Sequence, residues 1–243
     1  ARAAPDGYTL LVGTSTSLSV NPVLMKVAYD PARDFTAISE LGTQPHVFVV
    51  NPAVPAKSLR EFIALAKAKP GLFRYSSSGN GGPAHLAGEL FKQATGADLV
   101  HVPYRGQAAA IISVASGEVQ FSIPSIASVL PQIRAGKLRA IAVTSQHRVA
   151  IAGDIPTLAE EGYAGIESSS WTGVFGPVRI PEAIVVALRQ KISLALRSTV
   201  VAEKFAAAGV TPGGESGTDF ASFVQKDIAK WAKVVRVANI HTD

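Results

Sequence analysis

The stretch Ser76-Ser77-Ser78-Gly79-Asn80-Gly81-Gly82-Pro83-Ala84-His85 carries the strongest chemical signal in the chain. It follows a strand-like run and opens a helix-like one, so several backbone N–H groups, the positive end of a helix and three hydroxyls share one space. That combination suits a carboxylate or another small anion, with Ser78, Gly79, Asn80, Gly81, Ala84 and His85 as the candidate contacts. A tight turn that needs glycine for positive φ accounts for the same glycines, and Ser and Asn are ordinary turn residues, so both readings stand. Gly79-x-Gly81-x-x-Ala84 also fits the loose dinucleotide pattern. That pattern needs an acidic residue closing the next strand to hold a ribose; here Asp98 precedes the strand and Pro103-Tyr104-Arg105 follows it, which excludes a dinucleotide.

Other strand ends carry similar residues: Ser15, Thr16 and Ser17 after the first strand, Tyr104 and Arg105 before a helix, and Ser122 and Ser125 around Pro124. Ligands of open α/β sheets lie off the carboxyl ends of strands, so these loops are expected to line one cleft. Uncharged hydroxyls suit binding and release more than covalent chemistry, and Arg105 is the one obvious cation among them. No Gly-x-Ser-x-Gly, His-Glu-x-x-His or Gly-x-x-x-x-Gly-Lys-Ser/Thr motif occurs. The five histidines (46, 85, 101, 147, 241) lack ligand spacing and read as structural or surface residues.

The elements that must position these loops alternate. Residues 9–12, 47–50, 73–76, 99–102, 119–123, 138–143 and 169–175 read as strands, mostly separated by helical segments, which predicts an α/β fold with largely parallel sheets. Ser58-Leu-Arg-Glu61 is a capping box, Pro83 opens a helix over 83–95 with Leu86, Leu90 and Ala94 inward, and Thr157-Leu-Ala-Glu160 starts a short helix ending at Gly162. Residues 1–4 read as the tail of a helix. After the last strand, 181–197, 200–208 and 218–239 read as helices with no strand between them. In the final one Phe220, Phe223, Val224, Ile228, Trp231 and Val235 share a face, and Lys226, Lys230 and Lys233 form a solvated row.

The 243 residues are 47% hydrophobic and 17% charged with no cysteine, which excludes disorder, disulfides and thiolate metal sites. The net charge of +5 is spread, with no two Lys/Arg residues adjacent, so the nucleic-acid reading is set aside. No apolar run approaches the roughly 18–20 residues of a membrane span.

Taken together, the motifs resemble a known family. Ala4-Pro5-Asp6-Gly7-Tyr8-Thr9-Leu10, the run from Ser77 through Gly88-Glu89-Leu90-Phe91, Val102-Pro103-Tyr104-Arg105-Gly106, Ala135-Gly136-Lys137-Leu138-Arg139-Ala140-Ile141-Ala142-Val143-Thr144 and Asp154-Ile155-Pro156-Thr157 are similar to the Bug-type (TctC-like) periplasmic receptors of tripartite tricarboxylate transporters. The resemblance implies an α/β, two-lobe type II periplasmic-binding-protein fold that closes on a small carboxylate. It implies no cofactor, no metal and no catalysis, a monomer in the periplasm, and transporter membrane subunits as partners. By that analogy residues 1–46 and 167–243 form one lobe and 47–166 the other, with Trp171 on the return strand near the hinge. Two departures are expected to matter: a βαβ unit that precedes Pro5-Asp6-Gly7 in relatives is missing, and Ser122 stands where relatives often carry an acid. The rival readings are a cytosolic two-lobe effector-sensing domain of a transcription regulator and an α/β enzyme acting on a carboxylate.

Overall fold

The computed structural model describes residues 1–213 and 217–241. Two compact units emerge, one formed by Ala1–Thr43 together with the chain from Ser170 onward, the other by Gln44–Ser169. In chain order the first unit opens with β1 (Leu11–Thr14), a π-helical turn (Thr16–Val20), a short α1 (Asn21–Leu24) and β2 (Phe35–Pro45), within which the chain leaves it. The second unit holds β3 (Val47–Val50), α2 (Leu59–Ala68), β4 (Arg74–Ser77), α3 (Pro83–Thr95), β5 (Val100–Pro103), α4 (Gln107–Ala115), β6 (Phe121–Ser122), α5 (Ile126–Arg134) and β7 (Arg139–Val143). The chain returns at the start of β8 (Ser169–Pro177) and ends with α6 (Glu182–Leu196), α7 (Thr199–Ala207), β9 (Thr211–Pro212) and α8 (Gly217–Val237).

Local chemistry explains most of the second unit. Ser58 Oγ accepts the Glu61 amide at 3.2 Å, and the Glu61 carboxylate reaches back to the Lys57 amide at 2.6 Å, so the first turn of α2 is capped from both directions. Its buried residues Leu59, Phe62, Ile63 and Ala66 face the sheet. Pro83 starts α3 where no intrahelical N–H is needed, and Gly96, at φ 66°, ends it. The inward face of α3 carries Leu86, as expected, together with Ala84, Ala87 and Phe91, and Leu90 packs partly buried beside them; of the expected stripe Ala94 alone is exposed, and Gly88 lies against Tyr75.

The sheet of this unit has the order β5-β4-β6-β3-β7. β4 is parallel to both β5 and β6, and β3 is antiparallel to β6 and β7, so four strands run one way and β3 alone runs against them. The run Val47-Phe48-Val49-Val50 is wholly buried because the sheet is covered on both faces. Phe48 joins an aromatic core with Phe62 and Phe121, each centroid pair 4.9 Å apart, whereas Val47 and Val49 pack with Val114, Ile126 and Val129 on the other face.

The sheet of the first unit has the order β1-β8-β2-β9, with β1 antiparallel to β8 and β2 antiparallel to β9. The expectation of largely parallel sheets is therefore corrected: among the described strand–strand pairs only those of β4 are parallel. The eleven-residue β2 escapes the sequence reading because polar Thr36, Ser39, Glu40, Thr43 and Gln44 interrupt its apolar residues. β9 lies between α7 and α8, where no strand was expected. Residues 1–4 form no helix, and Thr157-Leu-Ala-Glu160 makes one capped turn that stops at Gly162, whose φ of 91° ends it. Lys230 is not part of a purely solvated row either, since it pairs with Asp227 at 2.8 Å and lies 4.4 Å over the Trp231 ring.

Candidate functional site

The register of the second unit sets Ser77 beside Pro103 and Ser76 beside Ser122, so the carboxyl ends of β5, β4 and β6 share one edge of the sheet. From that edge the chain runs into α3, α4 and α5. The loops at 78–82, 104–106 and 123–125 therefore gather Ser78, Gly79, Asn80, Gly81, Tyr104, Arg105 and Ser122 with the first turn of α3, which supplies Ala84 and His85. Free amides at such helix starts carry partial positive charge and favour an anion.

An account of the donors narrows the list. The Gly79 amide bonds Ser77 Oγ at 3.2 Å, the Gly81 amide bonds His85 Nδ1 at 3.0 Å and the Gly82 amide bonds the Gly79 carbonyl at 3.3 Å. Those three N–H groups are consumed inside the loop, which corrects the expectation that the glycine amides face a ligand. Among the described residues, the amides of Ser78, Asn80, Ala84 and His85 have no protein acceptor. Gly79 and Gly81 hold φ of 136° and 71°, so the turn needs them for conformation.

The hydroxyls divide the same way. Ser76 Oγ donates to the Ala110 carbonyl at 2.7 Å and Ser122 Oγ to the Ser76 carbonyl at 2.7 Å, and both residues are buried. Ser122 is thus a sheet clip whose hydroxyl is already engaged. Ser78 is exposed with its hydroxyl unpartnered among the described residues, and Asn80 and Arg105 are exposed too. Tyr104 donates to Glu118 at 2.8 Å, and burial raises its pKa.

Beneath the loop lies a cluster of which the sequence singled out only His85. His101 and His85 stack with ring centroids 3.7 Å apart and 5° between planes. His101 Nε2 is 2.6 Å from Ser77 Oγ. Tyr75 donates to Glu89 at 2.7 Å, and Lys92 pairs with the same carboxylate oxygen at 2.9 Å. Burial drives both imidazole pKa values down, that of His101 to about 3, and drives Tyr75 up. His85, Glu89 and Lys92 share a face of α3 at i, i+4 and i+7, and the pairing of Tyr75 with His101 across β4 and β5 brings in the second ring, which no local spacing marks.

In the first unit, Ser15, Thr16 and Ser17 follow β1, and Thr14 pairs with Thr172 next to Trp171. Ser15 is buried and Thr16 exposed. The Ser17 hydroxyl is held by Thr14, accepting its amide at 3.0 Å and donating to its carbonyl at 3.1 Å. Trp171 is 1% exposed among Phe175, Phe220 and Phe223, and its indole N–H donates to the buried Asp227 at 2.8 Å. That polar atom is committed to the core. A cavity of about 410 Å³ in the second unit is lined by Lys57, Arg139, Asp154 and Glu161 rather than by any candidate residue. Arg139 there clips the Pro52, Val54 and Ala56 carbonyls and Glu161 holds the Leu59 amide, so these walls are structural. Among the described residues no three His, Asp or Glu side chains group as a metal site, and no helix is long and apolar enough to cross a membrane.

Two α/β units joined by two chain crossings, with glycine- and serine-rich loops at the carboxyl edge of a sheet, define a chain of the periplasmic-binding-protein class. The family model of the tripartite tricarboxylate transporter family receptor (TctC) matches residues 1–240, and the chain belongs to that family. It is 38% identical over 238 residues to the protein BugT of Bordetella pertussis, an alignment that covers 97% of this chain and 73% of the relative. Among solved structures it is similar to an R. palustris protein determined with adipate (33% identity, TM-score 0.79, covering 99% of this chain and 81% of the other). MatC from Rhodopseudomonas palustris with bound malate is also similar (29%, TM-score 0.75, 96% and 81%). The family match sides with the receptor reading over the transcription-regulator one.

Proposed function

We propose that this receptor captures a small carboxylate without chemical turnover, with one carboxylate group at the loop between β4 and α3, and delivers it to the membrane subunits of a tripartite tricarboxylate transporter. It acts as a periplasmic monomer and uses no cofactor. The observation that carries the reading is the set of unpartnered donors at one edge of the second unit: the amides of Ser78, Asn80, Ala84 and His85 and the exposed Ser78 hydroxyl. Arg105, at the neighbouring strand end, adds the only full positive charge among the candidates and suits the far end of a dicarboxylate. Relatives determined with adipate and malate support that ligand class.

Titration calorimetry with adipate and with its diamide tests it. A charge-assisted hydrogen bond is worth ~1.5–3 kcal/mol, so Ser78→Ala should weaken adipate by roughly 10- to 150-fold and leave any binding of the diamide nearly unchanged. Equal affinity of the unmodified protein for acid and diamide, or a Ser78→Ala protein that binds adipate like its parent, would remove the carboxylate from this loop.

A further inference from the structure

The stacked imidazoles under the ligand loop have a proton inventory that the geometry constrains. The Gly81 N–H points at His85 Nδ1, which must be bare to accept it, so the His85 proton sits on Nε2. The Ser77 hydroxyl accepts the Gly79 amide and donates to the Gly79 carbonyl at 2.9 Å. Its one proton is then spent, and the 2.6 Å contact with His101 Nε2 is made by the imidazole N–H. Each ring therefore holds one glycine of the loop: His85 the amide of Gly81, and His101, through Ser77, both backbone groups of Gly79.

The charged groups facing the pair, Glu89 and Lys92, lie on α3, and β4 adds the neutral Tyr75. The Glu89 carboxylate favours a proton on His85, but it is already engaged by Tyr75 and Lys92, and Lys92 opposes protonation of both rings. Protonating both rings would also set like charges face to face at 3.7 Å. Burial is the largest influence and acts in the same direction, toward the neutral form.

Resting on the reading above that the β4–α3 loop receives a carboxylate, we propose that His85 and His101 are positioning residues: a neutral stacked brace that fixes Gly79 and Gly81. The brace leaves the neighbouring amides free for the anion, while neither imidazole serves as its counter-charge. The consequence for recognition is specific. The loop binds its ligand through neutral dipoles, so acidification from pH 8 to pH 6 adds no positive charge at this site.

Long-range 1H–15N spectra of the imidazoles in the unliganded protein test the brace directly. At pH 6 an ordinary histidine of pKa 6.5 is about three-quarters protonated. Here both rings should be neutral, with His85 protonated on Nε2; an imidazolium at either position, or a His85 proton on Nδ1, overturns the proposal. With adipate as probe, His85→Phe keeps a ring but loses the acceptor, and should weaken binding about 2- to 12-fold, the value of one net hydrogen bond. His85→Asn restores an acceptor close to the Nδ1 position and should recover most of that loss. A Phe variant that binds like the parent, an Asn variant no better than Phe, or a parent affinity that rises with acid through pH 6–7 would each defeat the brace. If adipate fails to bind the unmodified protein, adipate is not the carboxylate this loop receives, and the ring spectra still decide the brace.

Discussion

Replacing Gly88 by alanine sets a gain against a loss that the structure lets one weigh. A Cβ on Gly88 would lie 2.3, 2.6 and 2.9 Å from three ring atoms of Tyr75. The ring has nowhere to go: Tyr75 is fully buried, its centroid lies 4.9 Å from His101 and 5.3 Å from Phe121, and its hydroxyl is tied to Glu89. Helix α3 must therefore retreat by roughly 1 Å from a close-packed sheet. Alanine gains ~1 kcal/mol of helix propensity over glycine, and overpacking costs ~1–3 kcal/mol. Because the obstructing atoms belong to a pinned ring, the cost falls at the upper end, and a net loss of ~2 kcal/mol is expected. For a unit of about 125 residues that is a fall in Tm of roughly 6–10 °C. Both tryptophans lie in the other unit, so calorimetry, not tryptophan emission, should follow the transition. Gly153 provides the comparison: its φ is −66° and nothing lies within 4 Å of its Cβ position, so Gly153→Ala should be neutral or stabilise by up to ~1 kcal/mol. A Gly88→Ala protein that melts at or above its parent would refute the argument, as would an equal loss in Gly153→Ala. Since α3 carries the first turn of the ligand loop, adipate affinity should fall with the same variant.

Other outcomes follow from single contacts. Trp171→Phe removes the donor to the buried Asp227 and leaves a smaller ring, so chemical denaturation should record a loss of ~2–4 kcal/mol, and a change under ~0.5 kcal/mol would deny the bond its role. Thr144 holds the His46 amide at 3.0 Å and also donates to the Ser168 carbonyl, joining the two segments next to the chain crossings; the isosteric Thr144→Val should cost ~1–3 kcal/mol by the same measurement, and no loss would contradict it. The pKa of His101 is pushed by burial from 6.5 to about 3, so below pH 6.5 the unfolded chain takes a proton that the folded chain refuses. That contribution is complete above pH 6.5 and is lost as pH falls toward 3, at no more than ~1.4 kcal/mol per pH unit and less for a partly exposed ring. His101→Gln should flatten the slope of stability between pH 6.5 and 5, and an unchanged slope would assign the acid sensitivity to other groups.

How much of this was legible in the residues depends on whether the cause is local. The cap of α2, the start and stop of α3 and the doubly buried β3 are written in contiguous residues, and each forms within a few positions of its reading. β2 is different, because its polar residues become a strand only when β8 and β9 lie beside it, and the reversal of β3 against its neighbours is a property of the whole sheet. The ligand loop shows both cases within ten residues. Its glycines are legible as turn formers, and positive φ follows at Gly79 and Gly81. Which of its four serine and asparagine side chains stays available is not legible, because that depends on Ala110 accepting from Ser76 and on His101 meeting Ser77, contacts 34 and 24 residues away in sequence. The same distance explains why the histidines, counted along the chain, look unrelated: the 3.7 Å stack exists only because two parallel strands align Tyr75 with His101 while α3 folds back over them. A serine-rich strand end thus divides into residues that build the loop and residues that face the ligand. The division is made by the sheet register, and a substitution series over Ser76, Ser77 and Ser78 should separate stability from affinity at the boundary between Ser77 and Ser78.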